Sequence, residues 1–392
     1  MSLSVTRKDM APSEWVGLRE SEPVGIEQVQ KTLSALWCSA SETLREEEEA
    51  LALARLWNLV AFHSNPGRER GDSGGAADRI QALLEKVTMS LPARVIHLEE
   101  WRDEATHEPG REIEARVGTH CLRSPGGHKI VCCQEINLAG YGEKGHSHFP
   151  ALVRALLAPD LPMALIWLDD VPRRGRVLGQ LLGMSDRVLV DSQHTTDSAS
   201  IPAVLELCEA GTGHVVDLGW LRLTPLRHLV ADLFEGPGRS GQLARIESIR
   251  IESSPKGRNT GMLLLGWLLA RCGYDPVQAI DLGGRKDRSS WSVTGHGRTF
   301  PVEFGIQEGD GRQDGIFVIE IRADDDTFLL KDVDPWHMTV QGPDGEIPRV
   351  PIRDAEDDEL VVMGLGGRGE DPIYLEALNM TTRLVEMEQW NQ

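Results

Sequence analysis

"FPALVRALLAPDLPMALIWL" runs from Phe149 to Leu168 and contains the reading that decides the fold. Its first ten residues predict a helix, and "MALIWL", Met163–Leu168, predicts an apolar strand. The same order recurs downstream. "GRVLGQLLGM", Gly175–Met184, precedes "RVLVDS", Arg187–Ser192, and "SIPAVLELCEA", Ser200–Ala210, precedes a short strand at "HVVDL", His214–Leu218. The series continues through a helix inside Asp217–Glu235, the strand "ARIESIRIES" and the apolar helix "GMLLLGWLLARCG", Gly261–Gly273. Apolar strands alternating with helices predict a largely parallel sheet covered on both faces.

Upstream, "ARVIHL" reads as a strand. "EIEARVGTHCL" and "HKIVCCQEINLAG" alternate about the turn "RSPGG", Arg123–Gly127, which predicts a hairpin. Residues before Pro92 read as helical. Ile26, Val29, Leu33 and Leu36 share a helical face, and "ETLREEEEALALARLWNLVAFH", Glu42–His63, changes from acidic to apolar along one expected helix. From Ser289 the chain is strand-rich, with "WSVTG", "TFPVEFGI", "GIFVIEIRA", "DTFLLKDV" and "HMTVQG" separated by Gly- and Asp-rich turns, and a final helix follows. The expected class is mixed α/β: a helical N-terminal region over 1–90, a central α/β sheet domain with an antiparallel hairpin over 91–288, and a strand-rich C-terminal domain closed by a helix over 289–392.

The 392 residues carry 41 Lys+Arg against 61 Asp+Glu, a net charge of −20. So acidic a chain disfavours nucleic acid and anionic membranes as general partners, because both are polyanions. A hydrophobic content of 40% suffices for real cores. The N-terminus has no apolar signal region, the apolar helix from Gly261 is too short to span a bilayer, and six cysteines fit a reducing compartment. Cytoplasm is the expected location.

Several motifs invite a chemical reading. "GLGGRG", Gly364–Gly369, has the spacing of a dinucleotide fingerprint, but no strand follows to complete a βαβ unit, so a connector before the last helix is expected. Trp167, Asp169, Asp170 and Asp191 sit at the ends of two predicted strands, where open α/β sheets collect ligands. They form a candidate pocket for a small molecule, and the plainer reading is that the acids cap helices. Cys132 and Cys133 are adjacent in a strand and point to opposite faces, with Cys121 on the other hairpin arm; the three are redox candidates or buried structural thiols. His146 and His148 lack paired-ligand spacing and read as a polar loop. No set of residues has the spacing of a known catalytic motif. No catalytic residue, metal or cofactor is expected.

"DLGWLRLTPLRHLVADLFE", Asp217–Glu235, has a good helix start, with Thr224 at the N-cap and Pro225 at the first helical position. Leu226, Leu229, Val230 and Leu233 form its buried stripe. Trp220, Arg222 and Arg227 are left unexplained. Trp and Arg are enriched in interface hot spots, so with Thr224 they form a candidate partner-binding cluster; a core role is the equal alternative.

"LARLWNLVAFH", "LPARVIHL", "HKIVCCQEINL", "LLAPDLPMALIW", "DRVLVDS", "DLGWLRLTPLRHLVADLF", "MLLLGWLLARCGY" and "EDPIYLEAL" occur in an order that resembles the glucose-6-phosphate dehydrogenase assembly protein family, OpcA. The resemblance implies a non-catalytic protein that binds glucose-6-phosphate dehydrogenase and affects NADPH supply through the oxidative pentose phosphate pathway. It implies that the partner holds NADP and sugar phosphate, and that the action is redox-linked in some members.

Overall fold

The computed structural model describes residues 15–19, 24–45, 50–52, 55–65, 76–101, 112–123, 129–167, 175–193, 199–211, 213–236, 239–282, 287–307, 315–334, 336–353, 355–367 and 369–390. The chain folds as two compact units. The first comprises Met1–Trp167 with Arg174–Val188, and the second Leu168–Arg173 with Leu189–Gln392.

The first unit contains β1 (Trp15–Arg19), α1 (Val29–Arg45), β2 (Ala50–Ala52), β3 (Trp57–Asn65), α2 (Ala76–Ser90), β4 (Ala93–Trp101), β5 (Ile113–Arg123), β6 (Lys129–Tyr141), α3 (Gly142–Ser147), α4 (Phe149–Leu156), β7 (Met163–Trp167) and α5 (Arg176–Leu182). β8 (Arg187–Val190) then carries the chain into the second unit. The sheet runs β1-β5-β6-β4-β3-β7. β6, β4, β3 and β7 are mutually parallel, while β5 returns antiparallel along β6 and β1 extends that edge. The parallel core and the hairpin match expectation; the hairpin's turn, 124–128, lies outside the described residues.

Three strands, β1, β2 and β3, lie in the region before Pro92 that reads as helical. The proposed helix over Glu42–His63 is divided: α1 ends at Arg45, and Trp57–Asn65 is β3, paired on both sides. The physical reason is burial. Leu59, Val60, Ala61 and Phe62 are all inaccessible, so both faces of β3 are apolar and the period of two is erased.

The second unit contains α6 (Ser200–Glu209), β9 (His214–Asp217), α7 (Leu218–Arg222), α8 (Thr224–Asp232), β10 (Ile246–Ser253), α9 (Arg258–Cys272), β11 (Asp275–Ala279), β12 (Arg288–Gly295), β13 (Arg298–Ile306), β14 (Ile316–Ala323), β15 (Asp326–Asp334), β16 (His337–Gly342), β17 (Gly345–Pro351), α10 (Asp357–Gly366) and α11 (Pro372–Trp390). Its sheet runs β11-β12-β13-β10-β14-β15-β16-β17. β10 was expected to continue the upstream series. Instead it lies in the middle of this sheet, parallel to β13 and antiparallel to β14. Lateral partner choice is a long-range matter that strand periodicity does not encode.

α9 is apolar on all sides because it is covered on all sides, by β10, β13 and α11. Gly266 allows α11 its close approach: a Cβ there would collide with the Thr381 hydroxyl and lie 2.6 Å from the Ala377 carbonyl oxygen. α9 stops at Gly273, whose φ of 73° is the left-handed conformation that glycine adopts without strain.

Candidate functional site

The stretch Asp217–Glu235 folds as β9's last residue followed by two short helices. The Asp217 carboxylate accepts the Gly219 N–H at 2.9 Å and so caps α7. Thr224 departs from its expected role. It is the first residue of α8 and makes no side-chain cap; its hydroxyl accepts from Arg227 Nη2 at 3.1 Å. Pro225 does lie in the first turn.

Trp220 is buried, with 2% of its surface exposed. Its indole N–H donates to Asp371 Oδ2 at 2.8 Å, and its ring packs against Tyr374 at 5.4 Å between centroids. The Arg227 guanidinium lies 3.5 Å from the centre of the indole ring, a cation–π contact of roughly 0.5–2 kcal/mol. Burial draws the Arg227 pKa down to about 10, with the Asp371 charge opposing. Arg227 therefore stays charged at neutral pH.

Arg222 is spent on acids and an amide. It donates to Asp191 Oδ1 and Oδ2, both at 3.2 Å, to Gln193 Oε1 at 2.8 Å and to Asp357 Oδ1 at 2.9 Å. Burial alone would lower its pKa; the Asp191 and Asp357 charges outweigh that and raise it. The structure thus joins two sets that the sequence kept apart. Asp191, a member of the candidate pocket, is the counter-ion of Arg222, a member of the candidate docking cluster.

Beneath them lies Asp217, itself 1% exposed. Oδ1 accepts from Ser192 N at 3.0 Å and Oδ2 from the Tyr374 hydroxyl at 3.0 Å. Burial, with the Asp191 charge adding to it, pushes the Asp217 pKa up to about 6 against the N–H donors that lower it. Tyr374 is pushed well above its usual value by burial and by the Asp217 charge. Asp217, Asp357, Asp371 and Tyr374 escaped sequence reasoning. Asp217 and Asp371 left a signal there, each an Asp immediately before a helix, the second followed by Pro372 at the helix start.

The remaining candidates are placed as follows. Trp167 is buried and stacked on Phe62 at 4.1 Å. Asp169 and Asp170 lie outside the described residues. Gly364 and Gly366 of the "GLGGRG" motif end α10, and "LVVM" before them is helical, so the strand that a dinucleotide turn requires is not there. His146 is in α3 rather than a loop, 3.6 Å from Glu100, and His148 is 3.5 Å from Glu112. Cys121 is the register partner of Cys132, and His120 that of Cys133. Cys133 is buried, with its pKa raised by that burial. Among the described residues, no group of three or more His, Cys, Asp or Glu is placed to hold a metal ion, and no helix is long and apolar enough to cross a membrane.

Residues 85–206 match the family model described as the glucose-6-phosphate dehydrogenase subunit N-terminal domain, OpcA_G6PD_assem, and residues 213–378 match that of the C-terminal domain, OpcA_G6PD_C. The chain belongs to the OpcA family. It is 26% identical over 256 residues to the "Putative OxPP cycle protein OpcA" of Nostoc punctiforme, covering 64% of this chain and 52% of that protein. It is 25% identical over 289 residues to the protein of the same description in Synechococcus elongatus, covering 73% and 59%. The chain thus spans a little over half the length of these OpcA relatives. The ketoreductase KijD10 of Actinomadura kijaniata has a TM-score of 0.48 at 13% identity, over 86% of this chain and 98% of that one; a likeness of that size carries no argument about chemistry. Trp220, Arg222, Arg227, Asp357, Asp371 and Tyr374 all fall within the residues matched by the OpcA C-terminal domain.

Proposed function

We propose that this chain is a non-catalytic effector of glucose-6-phosphate dehydrogenase, binding that enzyme in the cytoplasm and promoting its assembly or activity in the oxidative pentose phosphate pathway. The tandem match to both OpcA domains carries the reading. The names of the curated relatives, which place them in the oxidative pentose phosphate cycle, support it. The buried polar cluster fits such a role better than catalysis, since Arg222, Trp220 and Asp217 spend their charges and hydrogen bonds on partners within the second unit. Trp220, Arg222, Thr224 and Arg227 then serve the partner indirectly. They hold α10 through Asp357 and α11 through Asp371 and Tyr374, and those helices expose Met363, half accessible, and Ile373.

The test is dehydrogenase activity titrated with the purified chain, with complex mass followed in parallel. A saturable change in activity with a stable complex is expected. Two folded proteins that neither associate nor alter the rate would refute the reading. A distinction between assembly and substrate affinity follows from whether the enzyme's mass or its KM changes. The redox part of the proposal narrows to Cys121 and Cys132, because residues directly opposite in an antiparallel pair have Cα atoms about 4.5–5.5 Å apart, within disulfide range. Cys121→Ser and Cys132→Ser should each abolish a redox response of the titration, and Cys133→Ser should leave it intact. A response that survives both of the first two variants would remove the thiol pair.

A further inference from the structure

Arg55 and Arg94 meet at the amino end of the first unit's parallel strands. Arg55 leads into β3, and Arg94 is the second residue of β4. Both donate to one neutral acceptor, Gln134 Oε1 on β6, from Arg55 Nη2 at 2.6 Å and Arg94 Nη2 at 2.8 Å. Arg94 Nη1 donates to the Leu156 carbonyl at the end of α4, at 2.8 Å. Arg94 is 5% exposed and Arg55 is half-buried. The Nε–H of each guanidinium is buried and has no acceptor.

No carboxylate among the described residues lies within ion-pair distance of either guanidinium. Among the described residues, Arg222 has Asp191 and Arg258 has Glu388 at ion-pair distance, and Arg227, which has no such pair, has the nearby Asp371 charge. The ionisable neighbour is Cys133, whose thiol burial keeps neutral, so it supplies no counter-charge. Burial and then the Arg55 charge draw the Arg94 pKa down to about 10, which still leaves Arg94 cationic at neutral pH; the half-exposed Arg55 guanidinium is cationic as well. Two like charges thus share a poorly solvated corner, held by amide and carbonyl oxygens alone. Buried charges are ordinarily paired, and water would satisfy the two free N–H donors without offsetting the charge. An oxyanion would do both, since guanidinium edges match its geometry. A carboxylate would offset one charge of the two; a phosphate dianion offsets both.

We propose that Arg55 and Arg94, bridged by Gln134, bind a phosphate dianion, free or as the terminal group of a small molecule. This goes beyond the dehydrogenase reading and is independent of it, because the test needs no dehydrogenase. Inorganic phosphate is titrated into the full chain by calorimetry, and against acetate and chloride at matched ionic strength. Saturable one-to-one binding is expected, with glycerol phosphate competing; whichever phosphate species binds tighter identifies the source. Arg55→Gln should weaken binding at least tenfold. It should leave the phosphate-free chain as stable as wild type or more so, because it relieves the repulsion on Arg94. Arg94→Gln should abolish binding, and since Arg55 is half-exposed its variant keeps the test valid where Arg94→Gln fails to fold. The proposal is overturned by absence of saturable binding, by acetate binding as tightly as phosphate, or by a folded Arg55→Gln chain with unchanged phosphate affinity.

Discussion

Replacing Arg222 with Ala should cost the second unit about 3 kcal/mol. The Arg222 side chain is 13% exposed and Asp191 is 3% exposed, and both carboxylate oxygens of Asp191 accept from it. Truncating one partner strands the other charge in the interior, which typically costs 3–5 kcal/mol. Residual exposure of Arg222 moves the expectation to the lower end of that range. The second ion pair, to a half-exposed Asp357, adds at most about 1 kcal/mol. Asp191→Asn should cost less, because the guanidinium retains Gln193 and Asp357. The double variant should be about 2 kcal/mol less harmful than the two singles added together, since each removes the same contact. Urea unfolding gives these differences, with hydrogen exchange in α11 assigning them to the second unit. The coupling should persist in high salt, because a buried pair is weakly screened. A cost below 1 kcal/mol for Arg222→Ala, or additive singles, would refute the claim that this arginine is a core element of the fold.

Three further outcomes follow from the same kind of reasoning. Gly266→Ala should destabilise by roughly 1–3 kcal/mol through collision with α11, the reverse of the gain of about 1 kcal/mol that alanine brings to an open helix; thermal unfolding checks the sign. Asp217 has a folded pKa raised from 3.8 to about 6, so the folded state holds the proton more tightly than the unfolded chain. Stability of the second unit should therefore rise by up to ~3 kcal/mol as pH falls from 6 towards 4, and Asp217→Asn should flatten that slope in urea midpoints. His97 has the opposite sign: burial, then the His63 charge, lowers its pKa from 6.5 to about 3. The first unit should lose stability as pH falls below 6.5, by ~2 kcal/mol at pH 5, so hydrogen exchange at pH 7 and pH 5 should show the first unit loosening while α11 tightens.

What could be read in the sequence was whatever one element encodes by itself. β7 and β8, α4 to α6, the β5–β6 hairpin, α9 and α11 are each marked by a local apolar run or stripe and occur where it predicts. β3 was missed because a strand buried on both faces has no alternation, and a preceding acidic run mimicked a helix start. The place of β10 between β13 and β14 depends on partners more than 45 residues away along the chain. The site behaved likewise. Trp220, Arg222 and Arg227 stood out by type, yet type could not separate surface from core, since Trp and Arg serve both. Their partners decide the matter, and Asp357 and Asp371 lie 135 and 151 residues from the side chains they bind.

The two arginine constellations differ in a way that bears on how an effector could work. Around Arg222 the protein supplies the opposite charge itself, so the arrangement is closed and its product is geometry: α10 and α11 held against α7. Around Arg55 and Arg94 it supplies neutral acceptors, and the charge remains to be met from outside. A closed cluster cannot respond to a small molecule without breaking; an open one gains free energy when an anion arrives. Regulation through the chain requires a ligand that favours one state of the partner complex over another, and the coupling is reciprocal. Under the two proposals, the factor by which phosphate alters affinity for the dehydrogenase must equal the factor by which the dehydrogenase alters affinity for phosphate. The buried charge that nothing in the described chain offsets is therefore where such coupling has a physical source. The Trp220 cluster has none to give, and in the proposed role it is the frame on which a contact surface is presented.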